Sequence, residues 1–320
     1  MANPPYSFFD LRVVRAERLS PSFVRVTFGG EGLAPFVNGG RDQRLKLFLP
    51  QPGQETPVVP RTNDLSWYPQ WRAMDPAVRG VMRTYTVREH RRDPDEVDID
   101  FALHGDTGPA SRWAAAAAPG DRATLLGPTA EENGGVDFQP PGIGGVPLAT
   151  DRDGTPRPGT DWVLITADET ALPAVAGILA WLPAGTPAAV WIEVQHAEDR
   201  QDLPTEAAAD ITWIVRDQTP AGTSDAPEHG QRTVDAIRAA ELPTGTPYAW
   251  IAGESGTIRA LRRHLVGERG FDRKAVKFTG YWRLGATEDQ LLEQEAAEAA
   301  EAAETPETTE TSDQQRDDRA

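Results

Sequence analysis

The stretch Arg83-Thr84-Tyr85-Thr86-Val87-Arg88 decides how the first half of the chain folds. Side chains alternate along a β-strand, so Arg83 and Tyr85 share one face and Thr86 lies on the other. A guanidinium two residues before a phenol can bind a phosphate while the ring packs along a planar ligand. The hydroxyl and N–H of Thr86 can bind a ring nitrogen or carbonyl. An ordinary half-exposed strand has the same composition, because Tyr, Thr and Val all favour strands.

Five further segments with a short strand-like pattern surround this one, at 8–16, 23–28, 45–49, 97–103 and 122–126. Turn residues separate them, and residues 51–80, rich in Pro and Trp, are predicted to form a long loop. Six short strands of this kind predict an all-β six-stranded antiparallel barrel.

A glycine-rich turn follows the strand at 97–103, in the run His104-Gly105-Asp106-Thr107-Gly108-Pro109-Ala110-Ser111-Arg112-Trp113. The run predicts the end of a strand, a tight turn and a helix with Pro in its first turn. The free N–H groups of a helix start, beside the hydroxyls of Thr107 and Ser111, suit a diphosphate. A capped surface helix fits the same residues.

From residue 161 the pattern changes to apolar strands that alternate with helices. Strands are predicted at 162–166, 188–194, 211–216, 248–252 and 275–282, and helices at 170–182, 232–240 and 256–268. This alternation predicts an α/β domain with a parallel sheet covered on both faces.

The composition of the 320-residue chain limits the classes of function. The net charge is -17, of which residues 286–320 carry -10, and this balance argues against a nucleic-acid partner. The acidic tail 286–320 is too polar to bury a core and should be mostly disordered. No segment has the roughly 20 apolar residues of a membrane span or the pattern of a signal peptide, so a cytoplasmic location is expected. The absence of Cys excludes disulfides.

Several motifs together resemble those of the siderophore-interacting proteins, a branch of the ferredoxin-reductase-like flavoproteins. They are the Arg83–Thr86 pattern R-x-Y-[ST], the run from His104 to Trp113, Ala167-Asp168-Glu169-Thr170-Ala171-Leu172-Pro173-Ala174, Ala252-Gly253-Glu254 and Gly280-Tyr281-Trp282-Arg283. The resemblance covers about residues 8–285. It implies an FAD-binding barrel domain at 6–140, a linker at 141–160, an NAD(P)-binding-like α/β domain at 161–285 and the acidic tail.

The resemblance implies an FAD-dependent reductase that releases iron from ferric siderophores by reducing Fe(III) to Fe(II). Siderophores bind Fe(III) through hard anionic oxygen atoms, so reduction weakens the complex. A flavin suits this task because it accepts electrons in pairs and passes them on singly. NADH or NADPH is the expected electron donor, and ferredoxin is a possible partner in its place. Glu193 could bind a ribose hydroxyl, which favours NADH, whereas the nearby Arg200 leaves the choice open.

The resemblance also implies roles for individual residues. Arg83 would pair with the FAD phosphate, Tyr85 would pack on the isoalloxazine and Thr86 would bind its N5/O4 edge, which makes Tyr85 and Thr86 the expected catalytic residues. The full set of expected cofactor-binding residues is Arg83, Tyr85, Thr86, Arg88, His104, Thr107, Ala110 and Ser111 for FAD, with Asp168, Glu169 and Thr170 for the nucleotide. The histidines show no spacing typical of metal ligands, so no protein-bound metal is expected.

Basic residues near the flavin are implied to bind the anionic ferric siderophore. Lys46 and Arg283 match this pattern, although each is also compatible with an ordinary surface charge. Thr129 stands where the family usually has Arg, and Leu284 where a second basic residue is common. We therefore expect a weaker or differently placed anion pocket, with help from Arg44.

Two other functions fit the same sequence. One is a general NAD(P)H-dependent flavoprotein reductase that acts on quinones or free flavin, which the neutral Thr129 favours. The other is a non-enzymatic siderophore-binding module in which FAD is structural or absent. A yellow colour that NAD(P)H bleaches would exclude the second.

Overall fold

The computed structural model describes residues 5–62, 66–103, 108–151, 154–218, 229–286 and 290. The described residues up to Leu284 form one compact unit that contains two β-sheets. Within these ranges, every helix is too short or too polar to cross a lipid bilayer. The predicted acidic tail lies almost entirely outside the described residues.

The first sheet is antiparallel and contains seven strands. They are β1 (Tyr6–Ser20), β2 (Phe23–Gly29), β3 (Arg44–Leu49), β4 (Val81–Thr86), β5 (Glu89–Arg92), β6 (Asp95–Ala102) and β7 (Arg122–Pro128), in the spatial order β4-β3-β7-β1-β2-β6-β5. Alternate apolar residues such as Phe28, Leu47 and Ile99 are fully buried on its inner face. The six strands predicted from periodicity are all present.

The prediction of a closed six-stranded barrel is not confirmed. The sheet has a seventh strand, β5, and its two edge strands are β4 and β5. Only Val87 and Arg88 separate these edges in sequence, and the Arg88 N–H donates to the Asp98 carbonyl at 2.9 Å. The sheet therefore curls until its edges approach one another. The sequence Glu89-His90-Arg91-Arg92 gave no apolar alternation from which to predict β5.

Ion pairs cover the outer face of β6. Glu96, Asp98 and Asp100 are all buried there, although acidic residues that alternate with apolar ones are normally exposed. Arg91 binds both oxygens of Asp98 at 2.7 Å, and Arg25 binds both oxygens of Asp100 at 2.6 and 2.9 Å. These bidentate pairs join β6 to its neighbours β5 and β2 and compensate the buried charge.

Two short helices pack on this sheet. The first, α1 (Trp67–Ala73), lies within the stretch predicted to be a loop. Trp71 is 2% exposed, contacts the ring of Phe48 and donates its indole N–H to the Gly80 carbonyl at 3.0 Å. The second, α2 (Pro109–Ala116), stacks Trp113 on Phe28 with ring centroids 6.1 Å apart.

The second sheet is parallel, as the sequence predicts. Its strands are β8 (Trp162–Ala167), β9 (Pro187–Val194), β10 (Ala208–Val215), β11 (Pro247–Glu254) and β12 (Val276–Trp282), in the order β10-β9-β8-β11-β12. The helices between them are α3 (Leu172–Trp181), α4 (Gln231–Ala239) and α5 (Ser255–Arg262). The strand order reverses between β8 and β11, and the carboxyl ends of parallel strands at such a point form a ligand crevice.

Asp42, in the loop before β3, fastens the two sheets together. It is 2% exposed and accepts hydrogen bonds from the Trp250 indole at 3.1 Å and from the backbone N–H groups of Asp137 and Phe138. Burial raises the pKa of this carboxyl, and the hydrogen bonds oppose the rise. The loop before β3 is therefore fixed against β11 of the parallel sheet.

Candidate functional site

Arg83 and Tyr85 lie together on the inward face of β4, as their spacing predicts. Tyr85 pairs with Leu45 across the β3–β4 ladder. Arg83 is only 8% exposed and donates from Nη1 to the Met82 carbonyl at 2.7 Å. The Tyr85 ring is partly exposed and packs against Phe101 with centroids 4.4 Å apart. A nearly buried guanidinium thus lies on the same face as an accessible aromatic ring.

The start of α2 offers hydrogen-bond donors close to this strand. Gly108 occupies the N-cap position and has no side chain, Pro109 follows it, and the first turn contains no acid. The helix packs against β4 and β6, and Ser111 donates to the Ala102 carbonyl at 3.3 Å. His104 and Thr107, which the sequence places in the same site, lie outside the described residues.

These groups fit the flavin dinucleotide that the sequence leads us to expect. A helix start capped by glycine leaves the N–H groups of Ala110 and Ser111 available to a diphosphate. The Arg83 guanidinium provides a planar fork for phosphate oxygens, and Tyr85 provides a face for the ring system.

The outward faces of β3 and β4 carry a different set of side chains. Lys46 lies opposite Thr84, and its Nζ donates to the Thr84 hydroxyl at 2.7 Å. Arg44 lies opposite Thr86, and its Nη2 is 2.9 Å from Oδ2 of Asp137. The structure therefore places the predicted residues Lys46, Arg44 and Thr86 on one face, but pairs Arg44 with a carboxylate.

Tyr281, near the end of β12, reaches this face from the other sheet. Burial raises the pKa of its phenol, Asp42 adds to the rise, and Arg44 and a hydrogen bond with the Thr86 side chain oppose it. Thr86, Arg44, Asp137 and Tyr281 thus lie together at the junction of the two sheets, which is called the cleft below. Tyr281 is neutral at physiological pH.

Arg88 and Arg283 are the other predicted basic residues. The Arg88 side chain faces Asp100, with Nε 3.8 Å from Oδ2, and so lies beside the ion pairs on β6. Arg283 follows β12 and is exposed. Its role as a substrate-binding residue stays a prediction, as does the role of Arg88 in binding FAD.

The predicted nucleotide turn after β8 is organised by the buried carboxylate of Asp168. Asp168 accepts from the N–H of Thr170 at 2.9 Å, from the N–H of Glu254 at 2.8 Å and from the Trp282 indole at 2.8 Å. Gly253, with φ of 139°, makes room for it, because a Cβ there would lie 2.5 Å from the carboxylate. Asp168 therefore caps its own turn and fastens the ends of β11 and β12 to it.

Glu169 and Glu193, also at the carboxyl edge of the sheet, share one arginine. Arg216 binds both oxygens of Glu169 and lies 3.3 Å from Glu193. Glu193 also accepts from the Thr233 hydroxyl and from the Gly230 N–H. The acid expected to bind a ribose hydroxyl is therefore already engaged by groups of the protein.

Asp168, Glu193, Glu254 and His229 line a cavity of about 20 Å³ at this edge. Such a volume holds about one water molecule. The roles of Asp168, Glu169 and Thr170 in nucleotide binding stay predictions, and the carboxylates at this edge are buried rather than exposed to a ligand.

Protonation of Asp168 should stabilise the fold. Burial, followed by the neighbouring Glu169 carboxylate, raises the Asp168 pKa to about 6, whereas an unfolded Asp titrates near about 4. Because the folded pKa is the higher one, this contribution is complete below about pH 4 and is lost as the pH rises through about 6. We expect the difference in urea-unfolding free energy between wild type and Asp168→Ala to shrink by about 1 kcal/mol from pH 5 to pH 7. A difference that does not change with pH would contradict this.

Asp137 and Arg216 were missed by sequence reasoning. Asp137 lies in the Gly- and Pro-rich connection after β7, where its neighbours suggest only a loop. Arg216 follows β10 and pairs with Glu169, 47 residues away. Neither residue stands in a motif, so only the tertiary fold brings them to the site.

Sequence models of two protein families match the chain: the siderophore-interacting FAD-binding domain over residues 12–132, and the siderophore-interacting protein over residues 160–285. Ferric vibriobactin reductase ViuB of Vibrio cholerae is 30% identical over 288 residues, 89% of this chain and 92% of that protein. The NADPH-dependent ferric-chelate reductase of Escherichia coli is 27% identical over 86% of this chain and 92% of its own length. The crystal structure of the siderophore-interacting protein SipS from Aeromonas hydrophila superposes with a TM-score of 0.69 and 30% identity, and covers 93% of this chain and 100% of that one.

Proposed function

The chain belongs to the siderophore-interacting protein family, and from this premise we propose that it is an FAD-dependent reductase of ferric siderophores. The observation that carries the proposal is the pairing of the nearly buried Arg83 and the accessible Tyr85 ring on one face of β4, beside the glycine-capped start of α2. These groups match the phosphate, ring and diphosphate of one FAD molecule.

We propose that the two sheets bind different reactants. Residues 6–140 bind FAD, and residues 161–285 receive NADH or NADPH, with 141–160 as the linker. A relative of this chain is named an NADPH-dependent ferric-chelate reductase, which supports a nicotinamide donor. Ferredoxin as a donor and a cytoplasmic location stay predictions from the sequence.

The protein's own groups bind and orient the reactants. Arg83 and the N–H groups of Ala110 and Ser111 neutralise the diphosphate, which fixes the cofactor along β4. Tyr85 would support the ring, and Thr86, whose side chain bonds Tyr281 on the other face of β4, would bind the ring edge through its backbone N–H. When bound, FAD supplies the chemistry that the amino acids lack, because it accepts electrons in pairs and delivers them singly. The cleft lined by Thr86, Arg44 and Asp137 is where the ferric complex would approach.

An anaerobic titration tests the proposal. Purified protein should be yellow, NADH or NADPH should bleach it, and a ferric siderophore should restore the colour while a ferrous chelator such as ferrozine develops its absorbance. Bleaching without recovery by any ferric siderophore would refute the proposed substrate. A colourless protein that does not take up added FAD would refute the enzyme class.

Lys46→Ala should raise the KM for an anionic ferric siderophore by about 3- to 10-fold with little change in kcat, because a cation that pairs with the bound substrate stabilises substrate and transition state alike. Steady-state reduction assays measure this. Lys274→Ala is the matched control, since Lys274 is exposed in the turn before β12, at the opposite edge of the parallel sheet. An unchanged KM in Lys46→Ala would remove this role.

A general quinone reductase is the second candidate. The pairing of Arg44 with Asp137 favours it, because the pair lowers the positive charge that an anionic substrate would seek. Parallel assays with a quinone and a ferric siderophore separate the two candidates by their kcat/KM values.

A further inference from the structure

We propose that Asp137 determines which net charge of a ferric siderophore complex this cleft prefers to bind. By neutralising Arg44, it favours an uncharged complex, such as a ferric tris-hydroxamate, over the triply anionic complex of a tris-catecholate. This inference rests on the proposed function and names the substrate class of the same site.

Asp137 is held in place by its backbone, independently of its side chain. Its N–H donates to Asp42, and its carbonyl accepts from the Tyr248 hydroxyl at 3.1 Å. The carboxylate is therefore aimed at Arg44, with Nη2 and Oδ2 2.9 Å apart, and also accepts from the Thr279 hydroxyl at 3.5 Å. An Asn at this position keeps both backbone contacts.

The ion pair is partly exposed to solvent rather than buried in the core. The Arg44 side chain is 27% exposed and that of Asp137 is 32% exposed, so a ligand in the cleft meets both charges. Thr86 and Tyr281, the polar neighbours of Arg44 from β4 and β12, are both neutral. Arg44 is one of two cations on the outward face of β3, and its charge is cancelled before a substrate arrives.

The net charge of a ferric complex depends on the ligands of its siderophore, so the neutralised Arg44 can distinguish one class of siderophore from another. Each hydroxamate donates one negative charge to Fe(III), so a tris-hydroxamate complex is neutral. Each catecholate donates two, so a tris-catecholate complex is strongly anionic. A nearby carboxylate repels only the second complex, whereas the neutral complex is bound by shape and by hydrogen bonds.

Gallium(III) complexes test the inference without electron transfer, since Ga(III) is not reduced by flavins. Two hexadentate ligands on one tripodal scaffold, a tris-catechol and a tris-hydroxamate, are each loaded with Ga(III) and titrated into FAD-loaded protein while tryptophan fluorescence is followed. We expect wild type to bind the hydroxamate complex at least as tightly as the catecholate complex. Asp137→Asn should tighten the catecholate complex about 3- to 10-fold and change the hydroxamate complex less than about twofold.

Two further variants test whether the Arg44 guanidinium, no longer neutralised by Asp137, causes the gain in affinity. Adding Arg44→Gln to Asp137→Asn should abolish the gain, because the freed guanidinium is its source. Asp151→Asn is the matched control for net charge, since Asp151 pairs with Arg157, with Oδ1 and Nη2 2.7 Å apart, and not with Arg44. This change should alter neither affinity.

The inference is overturned if wild type binds the catecholate complex about tenfold more tightly than the hydroxamate complex, or if Asp137→Asn changes both affinities equally. Either result leaves the proposed function intact. The proposed function fails separately, in the anaerobic titration, if neither ferric complex reoxidises the reduced flavin.

Discussion

Replacing Gly177 by alanine should lower the free energy of unfolding by about 1–3 kcal/mol, even though alanine is the better helix former by about 1 kcal/mol. Gly177 lies in the middle of α3, where glycine is normally unfavourable. A Cβ at this position would lie 2.1 Å from the Arg41 carbonyl oxygen and 3.0 Å from the Arg41 carbonyl carbon. Both are backbone atoms, so no side-chain rotation can relieve the overlap.

The contact matters because the Arg41 segment joins the two sheets. Arg41 itself has φ of 55°, its guanidinium lies 4.9 Å from the centroid of the Trp181 ring, and the next residue, Asp42, binds Trp250. A displacement of this loop by α3 would therefore loosen Asp42 and shift the start of β3, which carries Arg44. The cleft would lose its geometry along with its stability.

Urea unfolding followed by circular dichroism measures the effect of Gly177→Ala. Gly267→Ala is the matched control, because Gly267 also lies in a helical turn and a Cβ there has nothing within 4 Å. The control should be neutral or slightly stabilising. Equal unfolding free energies for the two variants would show that α3 can move away from Arg41 without penalty.

The regular elements were predicted from the sequence because their signals are local. Periodicity located six strands of the first sheet, five strands of the second sheet and the helices α3, α4 and α5. The predicted boundaries agree to within a few residues, except that the helix predicted at 256–268 extends beyond the end of α5 at Arg262. The strand β5 was missed because ion pairs to β6, rather than apolar alternation, stabilise it. The helix α1 was missed because Trp67 and Trp71 pack on the distant ring of Phe48, which no local pattern reveals.

In the candidate site too, the features set by local spacing were predicted and those set by tertiary contacts were not. Arg83 and Tyr85 could be assigned to one face from spacing alone, because a strand fixes the directions of alternate residues. The ion pair of Arg44 could not be predicted, since its partner Asp137 is distant in sequence and only the tertiary fold brings it close. Arg88 continues the same motif, but its position against Asp100 depends on the curl of the sheet, which brings β4 close to β6.

Arg83→Gln should lower the affinity for FAD by a factor of about 100 or more, so that the purified protein is nearly colourless. Charge-assisted hydrogen bonds to phosphate are worth about 1.5–3 kcal/mol each, and a bidentate fork makes two of them. Arg83→Lys keeps the charge but loses the planar fork, so its affinity should lie between those of wild type and Arg83→Gln. The ratio of flavin to protein absorbance after purification, and titration of flavin-free protein with FAD, measure these changes.

Arg88→Gln should give the opposite pattern, because Arg88 faces the buried Asp100 carboxylate on β6. Its loss removes one of the two cations beside Asp100 and leaves the bidentate pair with Arg25, so the melting temperature should fall while the affinity for FAD changes less than about threefold. The two variants remove the same charge from neighbouring positions of one segment, so net charge cannot explain a difference between them. If Arg88→Gln lost FAD as completely as Arg83→Gln, the ion pair with Asp100 would not be the main role of Arg88. The flavin site would then have to extend past Thr86 to the edge where β4 meets β6.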